Sequence, residues 1–182
     1  MSTAIPFEVR PIAITDIDAL RAFFSCIPDG DKTFFKENVD DADTVQEWVA
    51  DRRGRRLLAF DGADVAGYVA VIPGVGWSDH VGELRLVVDP KRRRGGLGRK
   101  LAQLGLVEAL RLGLRKVIVE VVTDQQATIQ LFDSLGFEGE AMLREHVRDR
   151  DGEYRDLLVL AHAAQDMWDL MATTGIDEAI GH

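Results

Sequence analysis

Val87-Val88-Asp89-Pro90-Lys91-Arg92-Arg93-Arg94-Gly95-Gly96-Leu97-Gly98-Arg99 is the stretch that decides how this chain is read. An apolar run stops at Asp89-Pro90 and a basic, glycine-rich turn follows. From Gly96 to about Gly113, Leu97, Leu101, Leu104, Val107, Leu110 and Leu114 recur at helical spacing. The order is therefore strand, loop, long helix. Glycines let backbone N–H groups converge with no Cβ in the way, and a helix start adds about half a positive charge. Together they form an anion cradle suited to a phosphate or pyrophosphate. A Walker A loop needs Lys-Ser/Thr at the helix start, where this chain has Arg99-Lys100. A dinucleotide fingerprint needs a third glycine where Leu101 stands. The pattern that fits is Gln/Arg-x-x-Gly-x-Gly/Ala, as Arg93-Arg94-Gly95-Gly96-Leu97-Gly98. The plainer alternative is a solvated basic turn capping a helix.

Elements on either side extend the reading. Upstream, Phe7 to Ile12 is a short strand, and Thr15 is placed as the N-cap of an amphipathic helix through Ile17, Leu20, Phe23 and Phe24, ending near Pro28. A short helix over Thr44 to Arg52 lies in an acidic segment. Arg56–Phe60 and Val65–Ile72 form an antiparallel hairpin around Asp61-Gly62, and Gly82–Val88 is the strand feeding the loop. Downstream, Lys116–Val122 is a near-continuous apolar run, as in a strand buried on both faces. A helix over about Gln126–Leu135 stops at Gly136, and Phe137–Arg148 with Tyr154–Ala161 form a closing hairpin. A further helix is placed around Gln165 to Met171. No repeat or linker divides the chain, so a single α/β domain with a mixed sheet is expected over residues 1–182, with a core at 7–161 and a tail at 162–182.

Composition narrows the function classes. The chain has 182 residues and a net charge of −9, with 46% hydrophobic residues. That length is enough for a core without staples. No apolar run has the length of a membrane span and the N-terminus lacks a signal peptide pattern, so a cytoplasmic protein without membrane contact is expected. Cys26 is the one cysteine, which excludes an intrachain disulfide; it reads as a small core residue on the first helix. No His-Glu-x-x-His pattern is present, and no metal is expected. The acidic balance also argues against nucleic acid as partner. The charge is uneven, however. Residues 29–51 hold eight acids and two lysines, whereas residues 91–100 hold six bases and no acid.

The strand, basic loop, helix and apolar strand are followed by Gln125-Gln126-Ala127-Thr128-Ile129-Gln130-Leu131-Phe132-Asp133-Ser134-Leu135-Gly136-Phe137. This combination resembles the core of the GNAT superfamily of N-acetyltransferases over about residues 81–161. The N-terminal part also looks, loosely, like the protein-lysine branch of the bacterial enzymes. The resemblance implies a mixed sheet of six to seven strands whose middle strands splay to admit coenzyme A, with acetyl-CoA as donor and an amine as acceptor. It implies that N–H groups around Arg94, Gly95, Gly96, Leu97, Gly98 and Arg99, with Arg93, hold the pyrophosphate. The backbone of Leu86, Val87 and Val88 would pair with the pantetheine arm, and Gln125, Thr128 and Phe132 would also contact the cofactor. Two positions depart from the family pattern: Gln125 stands for an asparagine, and Phe132 for a tyrosine whose phenol is proposed to protonate the leaving thiolate. Water or another hydroxyl such as Ser134 then takes that task, or the thiolate leaves unassisted.

An alkyl ammonium of pKa ~10.4 must lose a proton before it attacks a thioester. Glu83, on the strand entering the loop, is the first candidate base, and the alternative is an ion pair with Arg85. Asp156 is second and Tyr154 third, both on the last strand. A backbone N–H of Val87 or Val88 is the candidate oxyanion donor. Trp48 and Trp77 are placed beside the acceptor, with simple packing as the alternative for either. The acidic segment is a candidate entrance for a cationic amine such as a lysine side chain or polyamine. Trp168 and the tail make an oligomer contact, as in a homodimer, or cover the sheet. The competing class is an acyl-CoA-binding sensor or assembly module with little catalysis.

Overall fold

Asp61-Gly62 turns the chain back on itself, with Gly62 at φ 62°, and joins two strands that bury almost every residue they contain: β2 (Arg55–Asp61) and β3 (Asp64–Pro73). A computed structural model of the protein describes residues 7–32 and 35–163. β1 (Glu8–Pro11) pairs with the outer edge of β2, and β4 (Val81–Val88) pairs antiparallel with β3. β5 (Lys116–Val122) joins β4 in parallel. The closing hairpin of β6 (Glu138–Arg148) and β7 (Tyr154–Ala163) then inserts β7 between β5 and β6. The result is a seven-stranded mixed sheet in the order β1-β2-β3-β4-β5-β7-β6.

Five helices cover the two faces among the described residues: α1 (Ile17–Cys26), α2 (Asp29–Lys32), α3 (Ala42–Ala50), α4 (Leu97–Arg111) and α5 (Gln126–Asp133). Leu20, Phe23 and Phe24 of α1 and Val45 and Trp48 of α3 pack with Leu58, Tyr68 and Val87 on one face. Leu97, Leu101 and Leu106 of α4 and Phe132 of α5 pack with Val69, Leu84, Val119 and Leu160 on the other. α4 crosses the sheet closely at Gly105. A Cβ there would sit 2.7 Å from Leu84 Cδ1 and 3.1 Å from Val69 Cγ2, so only glycine fits without displacing its neighbours.

Local chemistry moved several boundaries. Thr15 is not the N-cap of α1. A 3₁₀ turn over Ile14–Asp16 precedes that helix, because the Asp16 carboxylate turns back to the Ala13 N–H at 2.8 Å and to the Arg10 guanidinium at 2.7 and 2.8 Å. α3 starts two residues before the expected position, since Asp41 is its N-cap and accepts from the Asp43 N–H. Cys26 is exposed at the end of α1 rather than in the core. Trp48 is buried and stacks on Tyr68 with centroids 5.3 Å apart, while Trp77 stands 95% exposed between β3 and β4, at the end of β4 away from the basic loop. Trp48 is therefore core, which matches the packing alternative, and Trp77 is solvent-exposed rather than packed. The helix placed at 165–171 and Trp168 lie outside the described residues.

Candidate active site

β4 and β5 share only three register pairs, Val81 with Lys116, Gly82 with Val117 and Glu83 with Ile118. Beyond Glu83 the two strands part, while β4 stays paired with β3 as far as Val88 and β5 stays paired with β7 as far as Val122. The sheet thus opens a wedge at its centre. Which groups line it follows from alternation along β4. Val81 accepts from the Gly74 N–H, and the Asp89 N–H donates to Ala66, so the odd-numbered residues of this strand bond to β3. The N–H and C=O groups of Leu86 and Val88 therefore face the wedge. Those of Val87 face β3, and its side chain is buried against α1 and α3. Val87, expected as a backbone contact and as an oxyanion donor, therefore turns its N–H and C=O to β3 and away from the wedge.

On the face carrying α4 and α5, the basic loop begins where β4 ends. Asp89 caps a 3₁₀ turn over Pro90–Arg92, accepting from the Lys91 N–H at 2.9 Å and pairing with Arg92, which also reaches Asp61 at 3.0 Å. This anchors the start of the loop. Arg94 then takes φ 69° and Gly96, the N-cap of α4, φ 81°; left-handed residues here turn successive N–H groups inward. Among the described residues no hydrogen bond takes the N–H groups of residues 94–99. These donors lie at a helix start among basic side chains, an arrangement suited to an anion. The bases are not equivalent. Arg93 donates to the Val88 carbonyl at 3.2 Å and pairs with Asp31 at 2.6 Å, and Arg99 donates to Ser134 Oγ at 2.6 Å. Arg94, Lys91 and Lys100 have no ion pair among the described residues.

The opposite face of the wedge carries carboxylates. Glu83 lies at the last β4–β5 pair, and Arg85 grips it with Nε and Nη2, both at 3.1 Å. Lys36 Nζ sits 3.0 Å from Glu83 and 2.9 Å from Glu120, on the parted half of β5, and so bridges the two strands at the mouth of the wedge. Arg85 also pairs with Glu37. Burial pushes the Glu83 carboxyl up, but the Arg85 and Lys36 cations outweigh it and hold it below the usual carboxylate range. The same pairs raise Arg85 and Lys36 above their ordinary values, although burial opposes this. The sequence reading missed Glu120. Its signal was an acid inside a run of apolar residues in a buried strand, a placement that is costly unless the charge has a partner.

The profile of the Acetyltransferase (GNAT) family matches residues 18–137, which spans the whole wedge and both of its faces. The chain belongs to the GNAT acetyltransferase family. Mycothiol acetyltransferase of Kocuria rhizophila is 40% identical over 91 residues, covering 50% of this chain and 28% of that protein. Its counterpart from Geodermatophilus obscurus is 38% identical over 85 residues, again over 28% of its length. The chain thus spans less than a third of these curated relatives. Among solved structures, yncA of Salmonella typhimurium, a putative acetyltransferase with its cofactor acetyl-CoA, superposes with a TM-score of 0.76 at 21% identity over 87% of this chain and 94% of that one. The ribosomal-protein-alanine N-acetyltransferase of Brucella melitensis gives 0.75 at 25% identity, over 86% and 99%.

The remaining residues expected in this GNAT site are dispersed. Asp156 Oδ1 accepts the Glu145 N–H at 2.8 Å, and Glu145 has φ 50°, so this carboxylate pins the bulge between β6 and β7. Alternation along β7 puts Asp156 on the face of Leu158 and Leu160, away from Glu83 and Glu120. Tyr154 is 62% exposed where β7 begins, beyond the end of β5. Neither joins Glu83. Phe132 is fully buried edge-on to Phe137, with centroids 5.1 Å apart, so its ring is part of the core. Ser134 Oγ donates to the Leu131 carbonyl at 2.6 Å, which leaves no free hydroxyl proton for a departing thiolate. Gln125 is half-buried at the N-cap of α5 and makes no side-chain cap bond, and the Thr128 N–H donates to its carbonyl at 3.0 Å. The acidic segment is largely neutralised within the fold: Asp31 pairs with Arg93, Glu37 with Arg85, Asp51 with Arg56, and Asp29 and Asp40 with Arg150.

Proposed function

We propose that this chain is an acetyl-CoA-dependent N-acetyltransferase whose acceptor is a primary amine carried as a cation. The observation that carries the reading is the wedge itself, with unused N–H donors and cations on one face and two carboxylates on the other. Acetyl-CoA, when bound, supplies an activated acetyl carbonyl and a thiolate leaving group. The chain's own residues do the rest. The N–H groups of residues 94–99, with Arg94, bind the pyrophosphate, and Gln125 and Thr128 at the start of α5 border the same face. Leu86 presents its N–H and C=O to the pantetheine arm and the thioester oxygen, Val88 adds its N–H, and the Val88 carbonyl accepts from Arg93.

Glu83 and Glu120 seat the ammonium. An ordinary carboxyl at ~4.3 and an alkyl ammonium at ~10.4 differ by about six units, or about 8 kcal/mol, and Glu83 lies further on the acidic side. Glu83 therefore does not hold the proton at equilibrium. It orients the nitrogen and passes the proton to water as the C–N bond forms. No phenol is needed for departure, since a thiol of pKa ~8.5 leaves as a tolerable thiolate.

The test is thiol release from acetyl-CoA with a panel of cationic and neutral amines. Release driven by cationic amines, with Glu83→Gln and Glu120→Gln lowering kcat/KM while calorimetric affinity for coenzyme A is kept, supports the reading. Binding without thiol release from any amine would instead favour an acyl-CoA-binding module.

A further inference from the structure

We propose that Lys36 is a self-acetylation site: its ammonium already occupies the carboxylate seat where the acceptor amine belongs, at the mouth of the wedge. The proposal rests on the acetyltransferase reading above. The chain has five lysines, Lys32, Lys36, Lys91, Lys100 and Lys116. Lys91 and Lys100 belong to the basic loop on the other face, and Lys116 pairs with Glu140 at the closed end of the β4–β5 pairing. Of Lys36, Lys91, Lys100 and Lys116, it is Lys36 whose ammonium contacts both strands that part, at 3.0 Å from Glu83 on one and 2.9 Å from Glu120 on the other. Its side chain is 46% exposed, so the nitrogen is held but not sealed in.

The step balances without any further reagent. Lys36 Nζ gives one proton to water by way of a carboxylate, its lone pair forms a bond to the acetyl carbon, the C–S bond breaks with its electron pair on sulfur, and the second proton leaving nitrogen ends, through water, on that sulfur. The products are an amide at Lys36 and a free thiol, and nothing is oxidised or reduced. Placement substitutes for affinity here, because a nucleophile fixed beside its electrophile reacts without a bimolecular encounter. Acetylation removes the charge that bridges Glu83 and Glu120, so the modified side chain has no ion pair left to keep it in the seat.

The full chain is incubated with acetyl-CoA and no amine, followed by intact mass and peptide mapping. The expected result is one acetyl group per chain at Lys36, formed at a rate independent of protein concentration and at least about tenfold faster than at Lys91 or Lys100. Lys36→Arg, which keeps the cation but cannot form the product, abolishes it. A second readout uses no donor: calorimetric binding of n-butylammonium to the free protein is tighter in Lys36→Met than in the parent, because the seat is vacated. Acetyl-CoA that binds while Lys36 stays unmodified, or reacts no faster than Lys91 and Lys100, overturns the proposal and leaves the acetyltransferase reading standing. Equal n-butylammonium affinity in parent and Lys36→Met overturns it as well. Failure of acetyl-CoA to bind at all overturns the acetyltransferase reading, and the proposal with it.

Discussion

Gly98→Glu separates the fold of the basic loop from its ligand. Gly98 is the second residue of α4, and a Cβ built there lies 3.5 Å from Leu131 Cδ2 and 3.7 Å from Val88 Cγ2, both ordinary contacts. The fold therefore has room for a side chain at this position. Replacing glycine in a helix gains up to about 1 kcal/mol, and an acid in the first turn gains about 0.3–1 kcal/mol more from the helix dipole. The expected result is a melting temperature unchanged or raised by about 2–4 °C. Binding moves the other way. A carboxylate about 5 Å from one phosphate charge, at an effective dielectric near 20, costs about 3 kcal/mol, which is over a hundredfold in Kd for coenzyme A. Gly98→Gln carries the same bulk without the charge and separates crowding from repulsion. Calorimetry at two salt concentrations, with a thermal melt of each variant, measures all of this, and the charge effect shrinks with added salt. A Gly98→Glu protein that melts like the parent and binds coenzyme A within about threefold of it would refute the loop assignment, because about 3 kcal/mol cannot vanish at that distance.

Other parts of the structure are testable by separate assays. Glu120→Gln leaves Lys36 with Glu83 as its carboxylate partner, and the expected outcome is a KM for cationic amines raised about tenfold with little change for neutral ones, read in the thiol-release assay. Equal loss for both amine classes would contradict a seat for charge. Asp16 is 4% exposed, and the Arg10 hydrogen bonds hold its carboxyl below the ordinary 3.8. Its folded pKa is thus the lower one, so its contribution to stability is complete above the unfolded value and lost as pH falls below about 4 through the folded value. Asp16→Asn should cost about 1–3 kcal/mol at neutral pH and flatten the acid limb of a stability–pH curve; a parallel downward shift at all pH values would contradict this. Leu106, 1% exposed between α4 and the sheet, should cost about 2–5 kcal/mol as Leu106→Ala in a denaturant titration, with the cofactor Kd of the folded protein kept.

Much of the architecture was legible because it rests on local rules. The leucine period from Leu97 marked α4, Asp61-Gly62 marked the β2–β3 hairpin, and the glycines and arginines at 93–99 marked the loop. Errors fell where a side chain reached beyond its own element. Asp16 is drawn to Arg10 and the Ala13 N–H, which displaced the cap expected at Thr15. Asp156 was expected at the chemistry from its place on the last strand; its Oδ1 accepts the Glu145 N–H, an engagement with β6 that no local pattern announces. Glu83 was visible as a candidate. That its partners are Lys36 and Arg85 together, and that Glu120 shares the first of them, was not visible.

By itself the sequence determined the strand–loop–helix with its glycines and cations, the alternating strands and the family resemblance, since each depends on residues within a few positions of one another. Only the tertiary structure decided where β4 and β5 stop pairing, which β4 residues face the gap, and which charges meet there. Lys36 reaches Glu83 across 47 positions of sequence, and Arg93 reaches Asp31 across 62. Strand order and register set such meetings. A register slip of one residue would turn Glu83 and Glu120 to the opposite face of the sheet, and no periodicity in the chain records that choice.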